Sequence, residues 1–382
     1  MGHPHGSTGH AGGPAQQAPG ERDPLAAFLW RLSEAVGVSG HEEGVAALVA
    51  LQLSGLADEV RTDRLGNCIA LRRGQPATED RRFSVMFAAH MDEIGMLVNG
   101  IEKGGFLRVA AVGGTNVQTL LGQRVVVHTD GGPLPGVIGL KPPHLTSEEE
   151  RKKFPKWEEL FVDCGLTEEE ARQRIVVGDV ITIAQSPQQL MQGRFAGKAL
   201  DNRASVAALA EAMRHLHRLR HDADVFAVAT VQEEVGLRGA AVGAFAVNPD
   251  VAVAIDVTFA RQRLVSEEVV ELGKGPAIAT GPNFHPRIFE RLVAAAKEHG
   301  VAYQVEVIPG RSGTDAWAIQ VSQAGIPTGL VSVPLRYMHS PVEVVDLSDI
   351  RQTGRLLASF VAGLRREDVE ALTRWEVGAD EH

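Results

Sequence analysis

The chain has 382 residues, 44% hydrophobic and 5% aromatic, with a formal net charge of -10 at pH 7. That is enough for one large domain or two medium ones, with a core built from Ala, Val, Leu and Ile. The acidic balance gives no general attraction to nucleic acid or to an anionic membrane, and no apolar run is long enough to span a bilayer.

The N-terminus lacks the basic-then-apolar order of a secretory signal. Two distant cysteines, Cys68 and Cys164, fit a reduced cytoplasm better than a disulfide scaffold. Residues 1–22 are mostly Gly, His, Pro, Ala and Gln, cannot bury enough apolar surface to order themselves, and read as a disordered tail. His3, His5 and His10 there, and the isolated His41, read as solvated side chains rather than a metal site.

Order is expected from Asp23-Pro24, a helix cap with Pro in the first turn, followed by the stripe Leu25, Phe28, Leu29 and Leu32. Ser39-Gly40-His41-Glu42 has the spacing of a capping box and predicts a second helix. Residues 59–62 and 68–72 read as strands around the turn Leu65-Gly66-Asn67. The runs 84–89, 225–231, 251–255 and 328–334 are apolar without alternation, as suits strands buried on both faces of a mostly parallel sheet. Helical stripes intervene, Val206, Leu209, Met213 and Leu216 in one and Ile288, Leu292 and Ala295 in another. The predicted fold is α/β, a mixed and mostly parallel sheet between helices.

Between about Gly100 and Met191 the chain turns rich in Val, Gly and Thr, with short runs such as 123–127, 136–140 and 179–183. This predicts a small inserted β-barrel, interrupted by a charged helical excursion over 147–157. The expected division is a tail over 1–22, an α/β catalytic domain over 23–96 and 193–365, the barrel over 97–192, and a C-terminal tail over 366–382.

Chemistry gathers where the buried strands end. Run 84–89 leads into His90-Met91-Asp92, run 225–231 into Gln232-Glu233-Glu234, run 251–255 into Asp256, and run 328–334 shortly into His339. Open α/β sheets bind ligands at the carboxyl ends of their strands. Charged groups delivered there must be paired or metal-bound. Asp201, just before the helix carrying Val206, taken alone would be a simple cap. Imidazole and carboxylate without thiolate suit zinc, cobalt or manganese. Adjacent strand residues point to opposite faces, so of Glu233 and Glu234 one is expected on metal and the other as general base. Asp92, two residues beyond His90, can orient the imidazole.

The motifs His90-Met91-Asp92-Glu93-Ile94-Gly95, Ala199-Leu200-Asp201-Asn202-Arg203, Gln232-Glu233-Glu234-Val235-Gly236, Ala254-Ile255-Asp256 and Met338-His339-Ser340-Pro341 occur in order. Together they resemble the tetrahedral aminopeptidases, relatives of glutamyl and deblocking aminopeptidases, over about Asp23 to Leu364. The resemblance implies a dinuclear metallo-aminopeptidase acting on peptides, with two divalent ions per subunit, zinc first and cobalt or manganese as alternatives. It implies that His90 and Asp256 hold one ion, Glu234 and His339 the other, with Asp201 bridging. Glu233 would be the general base and proton shuttle, and Asp92 would orient His90. It also implies a PDZ-like barrel used in assembly, a homo-oligomer with a dimer as building unit and a dodecamer as particle, and a cis Asp201–Asn202 peptide. Rival expectations are a metal-dependent N-acyl amino acid deacylase, an endoglucanase, an activity attributed to some members of the family, and a non-catalytic scaffold. Gly310–Asp315 resembles a loop near the family's active site, and caps a helix over 315–323 equally well.

Overall fold

The computed structural model describes residues 23–76, 78, 82–139, 141–264 and 270–373, so the tail expected over 1–22 lies outside the described residues. Asp23 caps α1 (Pro24–Glu34) by accepting from the Ala26 N–H, and Leu25, Phe28, Leu29 and Leu32 are all buried. Helix α2 (Glu43–Leu53) follows, but the capping box does not form: Glu42 is its N-cap and makes no side-chain cap bond. Ser39 instead donates to Asp92 Oδ2 at 2.6 Å. The local motif lost its serine to a stronger, charged acceptor. Strands β1 (Glu59–Thr62), β2 (Cys68–Arg72) and β3 (Ser84–His90) complete the first part.

The chain then leaves the sheet through β4 (Gly95–Ile101), β5 (Leu107–Val112), α3 (Val117–Leu120), β6 (Arg124–Thr129), β7 (Gly132–Gly139), α4 (Glu148–Arg151), β8 (Phe161–Asp163), α5 (Glu168–Arg174) and β9 (Val180–Ile183). These six strands close a barrel in the order β4-β5-β8-β7-β6-β9, the inserted β unit read from the sequence. Its core is Met96, Val98, Leu107, Val125, Val127 and Ile181 with their neighbours. The expected helical excursion is smaller than predicted, one turn at α4 and a 3-10 turn at Trp157–Glu159.

The remainder rebuilds the main sheet: β10 (Gln188–Gln189), β11 (Arg194–Gly197), α6 (Leu200–Leu216), β12 (Asp224–Thr230), α7 (Arg238–Val247), β13 (Val251–Phe259), β14 (Ala277–Thr280), α8 (Pro286–Glu298), β15 (Gln304–Val307), α9 (Ala316–Ile319), β16 (Thr328–Arg336), β17 (Glu343–Asp346), α10 (Leu347–Gly363) and α11 (Arg366–Thr373). The chain is thus back on this sheet by Gln188, before Gly193. Strand order is β1-β2-β12-β3-β13-β16-β17-β11-β10, with β14 joined to β16 and β15 to β14. The centre, β12-β3-β13-β16, is parallel throughout.

Alternate residues of the central strands feed two cores. Val85, Phe87, Ala89, Val253 and Ile255 pack with α1, α2, α6, α8 and α10. Met86, Ala88, Ala252, Ala254 and Leu330 pack with α7 and α9 on the opposite face. This explains the lack of alternation in the sequence: both faces are covered, and each buried Val, Leu or Phe contributes about 1.5–3 kcal/mol. The segment after residue 365, expected as a tail, begins with α11, whose Val369 and Leu372 join the first core. Both cysteines are free. No described helix is long and apolar enough to cross a membrane.

Candidate functional site

The parallel strands aim their C-terminal ends at one edge, and the side chains expected to carry chemistry meet there. His90 closes β3 and continues the row Met86–Ala88; Asp256 in β13 continues the row Ala252–Ala254. Residues two apart on a strand share a face, so both project over the side covered by α7 and α9. Strand β12 ends at Thr230, and Gln232 takes a left-handed φ of 55°. That break releases Glu233 and Glu234 from strict alternation, and both carboxylates reach the cluster. Asp201 is not a cap: it lies in the first turn of α6 with a non-helical ψ of 101°, and the Asp201–Asn202 peptide is cis, as the resemblance implied.

Asp201 divides its oxygens between two histidines. Oδ1 lies 3.3 Å from His90 Nε2, and Oδ2 lies 3.3 Å from His339 Nε2. Around His90 Nε2 stand Asp256 Oδ1 and Glu233 Oε2, each at 3.8 Å. Glu234 Oε1 is 3.4 Å from His339 Nε2. Donor atoms of His90, Glu233 and Asp256 fall within 4.8 Å of one another, as do those of His90, Asp201 and Glu234. Donors about 2.0–2.1 Å from a tetrahedral ion stand roughly 3.3–3.4 Å apart, so the tighter of these spacings suit a first-row divalent ion.

The electrostatics agree with that fit. Burial drives the Glu233 carboxyl up, Asp256, Asp315 and Glu234 add to this against the pull of His90, and it is pushed up to about 10. Burial and the Asp201 charge likewise hold Asp256 well above the usual carboxylate range despite His90. Hydrogen bonds to Asp201 and Glu234 push His339 up to about 11. Burial would lower His90, but Glu233, Asp201 and Asp92 outweigh it and hold it well above the ordinary value. No lysine or arginine among the described residues lines the cavity over the cluster. The excess negative charge is what divalent cations would offset.

A set of supporting bonds fixes these groups. Asp92 is fully buried; it accepts from the Glu233 and Glu234 N–H groups at 3.0 and 3.2 Å and touches His90 Nδ1 at 3.3 Å. Glu42 accepts from the Gln232 N–H at 3.1 Å and steadies the kink before the glutamates. Glu343 accepts from the Asp201 and His339 N–H groups, both at 2.9 Å. Beneath lies Arg203, fully buried, donating to the carbonyls of Leu32, Ala35 and Met91, while Arg203 and Lys198 both pair with Glu93, at 3.1 and 2.6 Å. The barrel also reaches the site. A Cβ on Gly114 would lie 2.5 Å from His339 Nδ1, and one on Gly113 3.2 Å from Glu234 Cβ.

Sequence reasoning singled out every member of the cluster but missed Glu343, Glu42 and Ser39 as its supports. Glu343 had one legible signal, an acid four residues after His339 that opens a strand. Asp315 sits at the N-cap of the helix after it, which spans only Ala316–Ile319, but makes no side-chain cap bond. Its Oδ2 accepts from Thr230 Oγ1 at 2.5 Å, while its Oδ1 is buried without a partner. His41 is exposed and belongs to no donor cluster among the described residues.

Residues 66–356 match the model of the M42 glutamyl aminopeptidase family. The chain is 40% identical over 346 residues to a lysyl aminopeptidase of Pyrococcus furiosus, covering 89% of this chain and 98% of that one. Its fold superposes with a TM-score of 0.86 on a TET aminopeptidase from a marine sediment archaeon, Thaumarchaeota archaeon SCGC AB-539-E09, at 36% identity and covering 92% of this chain and 100% of that one. It also resembles the TET1 peptidase of Pyrococcus horikoshii, described as assembling into a tetrahedron or a large octahedral shell, with a TM-score of 0.78, 33% identity and coverage of 89% and 100%.

Proposed function

The chain belongs to the M42 glutamyl aminopeptidase family, a metal-dependent family of peptidases, and on that premise we propose that it is a dinuclear metallo-aminopeptidase releasing N-terminal residues from short peptides. The observation that carries the reading is the splitting of Asp201, one oxygen toward His90 and the other toward His339. A bridging carboxylate requires that arrangement. His90 with Asp256 would hold one divalent ion and Glu234 with His339 the other, zinc being the first candidate and cobalt or manganese acceptable to the same donors. When bound, such a pair polarises a carbonyl and brings the pKa of water toward neutrality.

The chain's own residues do the rest. Bound cations would bring the Glu233 carboxyl back down to the carboxylate form, and Glu233, beside His90 and on no histidine of the second group, would then take the proton from the attacking water and return it to the departing amine. Asp92 holds the His90 ring and the Glu233–Glu234 backbone in one geometry. Ile308, Leu330 and Met338 supply apolar lining to the cavity beside the polar Thr258, Ser312 and Thr314, and would border the first side chain of the peptide. Relatives named for lysyl and for glutamyl activity leave the sign of the preferred side chain open. Within this reading, residues 23–96 and 193–365 form the catalytic domain and 97–192 the assembly domain of a cytoplasmic homo-oligomer of twelve copies built from dimers.

The test is Glu233→Gln assayed on aminoacyl chromogenic substrates, with metal content measured on the same sample. Turnover is expected to fall by about 10²–10⁴ with both ions retained. Full activity in that variant removes Glu233 as the base. Preference for N-acylated amino acids would favour a deacylase, and cellulose hydrolysis surviving chelation an endoglucanase.

A further inference from the structure

Glu233 and Glu234 sit on a loop that is tied off at its neck. The chain leaves β12 at Val231 and is back in regular structure at Gly239, in the first turn of α7. Between these ends Gln232, Gly236 and Leu237 take left-handed φ values of 55°, 130° and 59°. Gln232 and Leu237 carry side chains, and such conformations persist where neighbouring groups over-determine them. Asp92 and Glu42 hold the N–H groups of Gln232, Glu233 and Glu234 inside the loop. The ends of the loop are held from another direction.

Asn67, fully buried, ends the turn between β1 and β2. Cys68 lies opposite Ala229 in the antiparallel β2–β12 pair, so Asn67 comes level with Thr230, where β12 stops. Its Oδ1 accepts from the Val231 N–H at 3.0 Å, and its Nδ2 donates to the Gly239 carbonyl at 2.9 Å. One amide thus bridges the start and the end of the loop. Nδ2 also donates to Asp63 Oδ2 at 2.7 Å, while Asp63 Oδ1 accepts from the Leu65, Gly66 and Asn67 N–H groups. Turning the amide over would set an oxygen against two acceptors and an N–H against a donor, so its orientation is fixed. The Gly239 N–H donates to the Val231 carbonyl at 3.0 Å. A Cβ on Gly239 would lie 2.3 Å from that oxygen and 2.5 Å from Asn67 Oδ1, so the neck is closed with no room for a side chain. Asn67 itself lines neither the cavity nor the donor clusters.

We propose that Asn67 is a positioning residue for Glu233 and Glu234. By clamping Val231 to Gly239 it fixes where the loop between them presents the base and the metal ligand. An asparagine that merely satisfied buried backbone would affect stability alone. This one bonds both ends of the loop, so its loss displaces the groups the loop carries. The cavity walls with Ile308, Leu330, Ser312 and Thr314 come from other segments and are left in place. This rests on the aminopeptidase reading above.

The experiment compares wild type, Asn67→Ala and Asp63→Asn as the metal-loaded full chain, well below the unfolding temperature of each. Two quantities are read: kcat and KM on aminoacyl chromogenic substrates per loaded site, and amide hydrogen exchange over residues 231–239 by mass spectrometry. In Asn67→Ala, kcat is expected to fall about 10- to 100-fold with KM within about 3-fold of wild type, and exchange over 231–239 to quicken at least about 10-fold. Asp63→Asn weakens only the outer anchor of the amide and should move both quantities the same way, by about 3- to 10-fold; it carries the test alone if Asn67→Ala does not fold. A folded variant that keeps kcat within about 2-fold of wild type, or loses turnover with exchange over 231–239 unchanged, overturns the proposal whatever its stability. If wild type cleaves no substrate, the aminopeptidase reading is what fails. Exchange then decides the neck: faster exchange over 231–239 in the variants supports the proposal, and equal exchange overturns it.

Discussion

Removing the Asp92 carboxylate should damage the metal centre without touching a single proposed ligand. Asp92 is 0% exposed and accepts from Ser39 Oγ, the Glu233 N–H and the Glu234 N–H at 2.6, 3.0 and 3.2 Å, with His90 Nδ1 3.3 Å away. Asp92→Ala strips the acceptor from two backbone N–H groups beside the site. Each unsatisfied group costs about 1–3 kcal/mol, so the apo protein should lose roughly 2–6 kcal/mol in urea unfolding. Asp92→Asn keeps an acceptor for one N–H but loses the charge, and should lose about 1.5–3 kcal/mol. In both, the His90 ring and the Glu233–Glu234 turn are free to drift apart. Metal affinity, read by competition against a chromophoric chelator, should weaken about 10- to 100-fold. If Asp92→Asn binds metal within about 2-fold of wild type and Asp92→Ala unfolds at the same urea concentration, the clamp inferred here does not exist.

Two other outcomes follow from the supports. Burial alone would raise Glu93, but Lys198 and Arg203 outweigh it and hold it below 4.5, so the folded state binds fewer protons there than the unfolded chain. Its contribution is therefore full above about pH 4.5 and is lost as pH falls through the depressed value. Glu93→Gln should cost about 3–5 kcal/mol at neutral pH, with the gap to wild type closing as unfolding is repeated at lower pH; a gap that widens on acidification reverses the assignment. Gly114→Ala should displace His339 and lower kcat/KM about 10- to 100-fold, with unfolding free energy within roughly 1 kcal/mol of wild type; undiminished activity would show that the barrel loop and His339 do not press on each other.

Much of this was legible in the sequence for one reason. A strand buried on both faces has no room for charge, so His90 and Asp256 at strand ends stand out against Met86–Ala88 and Ala252–Ala254. The supports did not stand out, because their roles come from tertiary neighbours. Ser39 and Glu42 spell a capping box, and only the proximity of Asp92 and Gln232 draws them elsewhere. Asp315 reads as a cap until Thr230 is seen to hold it. Residues after 365 looked like a tail because a short charged helix hides its two docking side chains, Val369 and Leu372.

Gly113 and Gly114 have a consequence for how such a chain can change over time. The inserted segment meets the site partly through Gly113 and Gly114, two residues without side chains that lie against Glu234 and His339. The same inserted segment leaves Leu145, Phe154, Val176 and Val177 exposed. In the assembly proposed above, substitutions at those exposed positions would change how copies meet, while Gly113 and Gly114 leave room for Glu234 and His339. On that proposal quaternary form and chemistry would vary separately within one polypeptide, with side chains tolerated on the exposed barrel surface and excluded at Gly113 and Gly114.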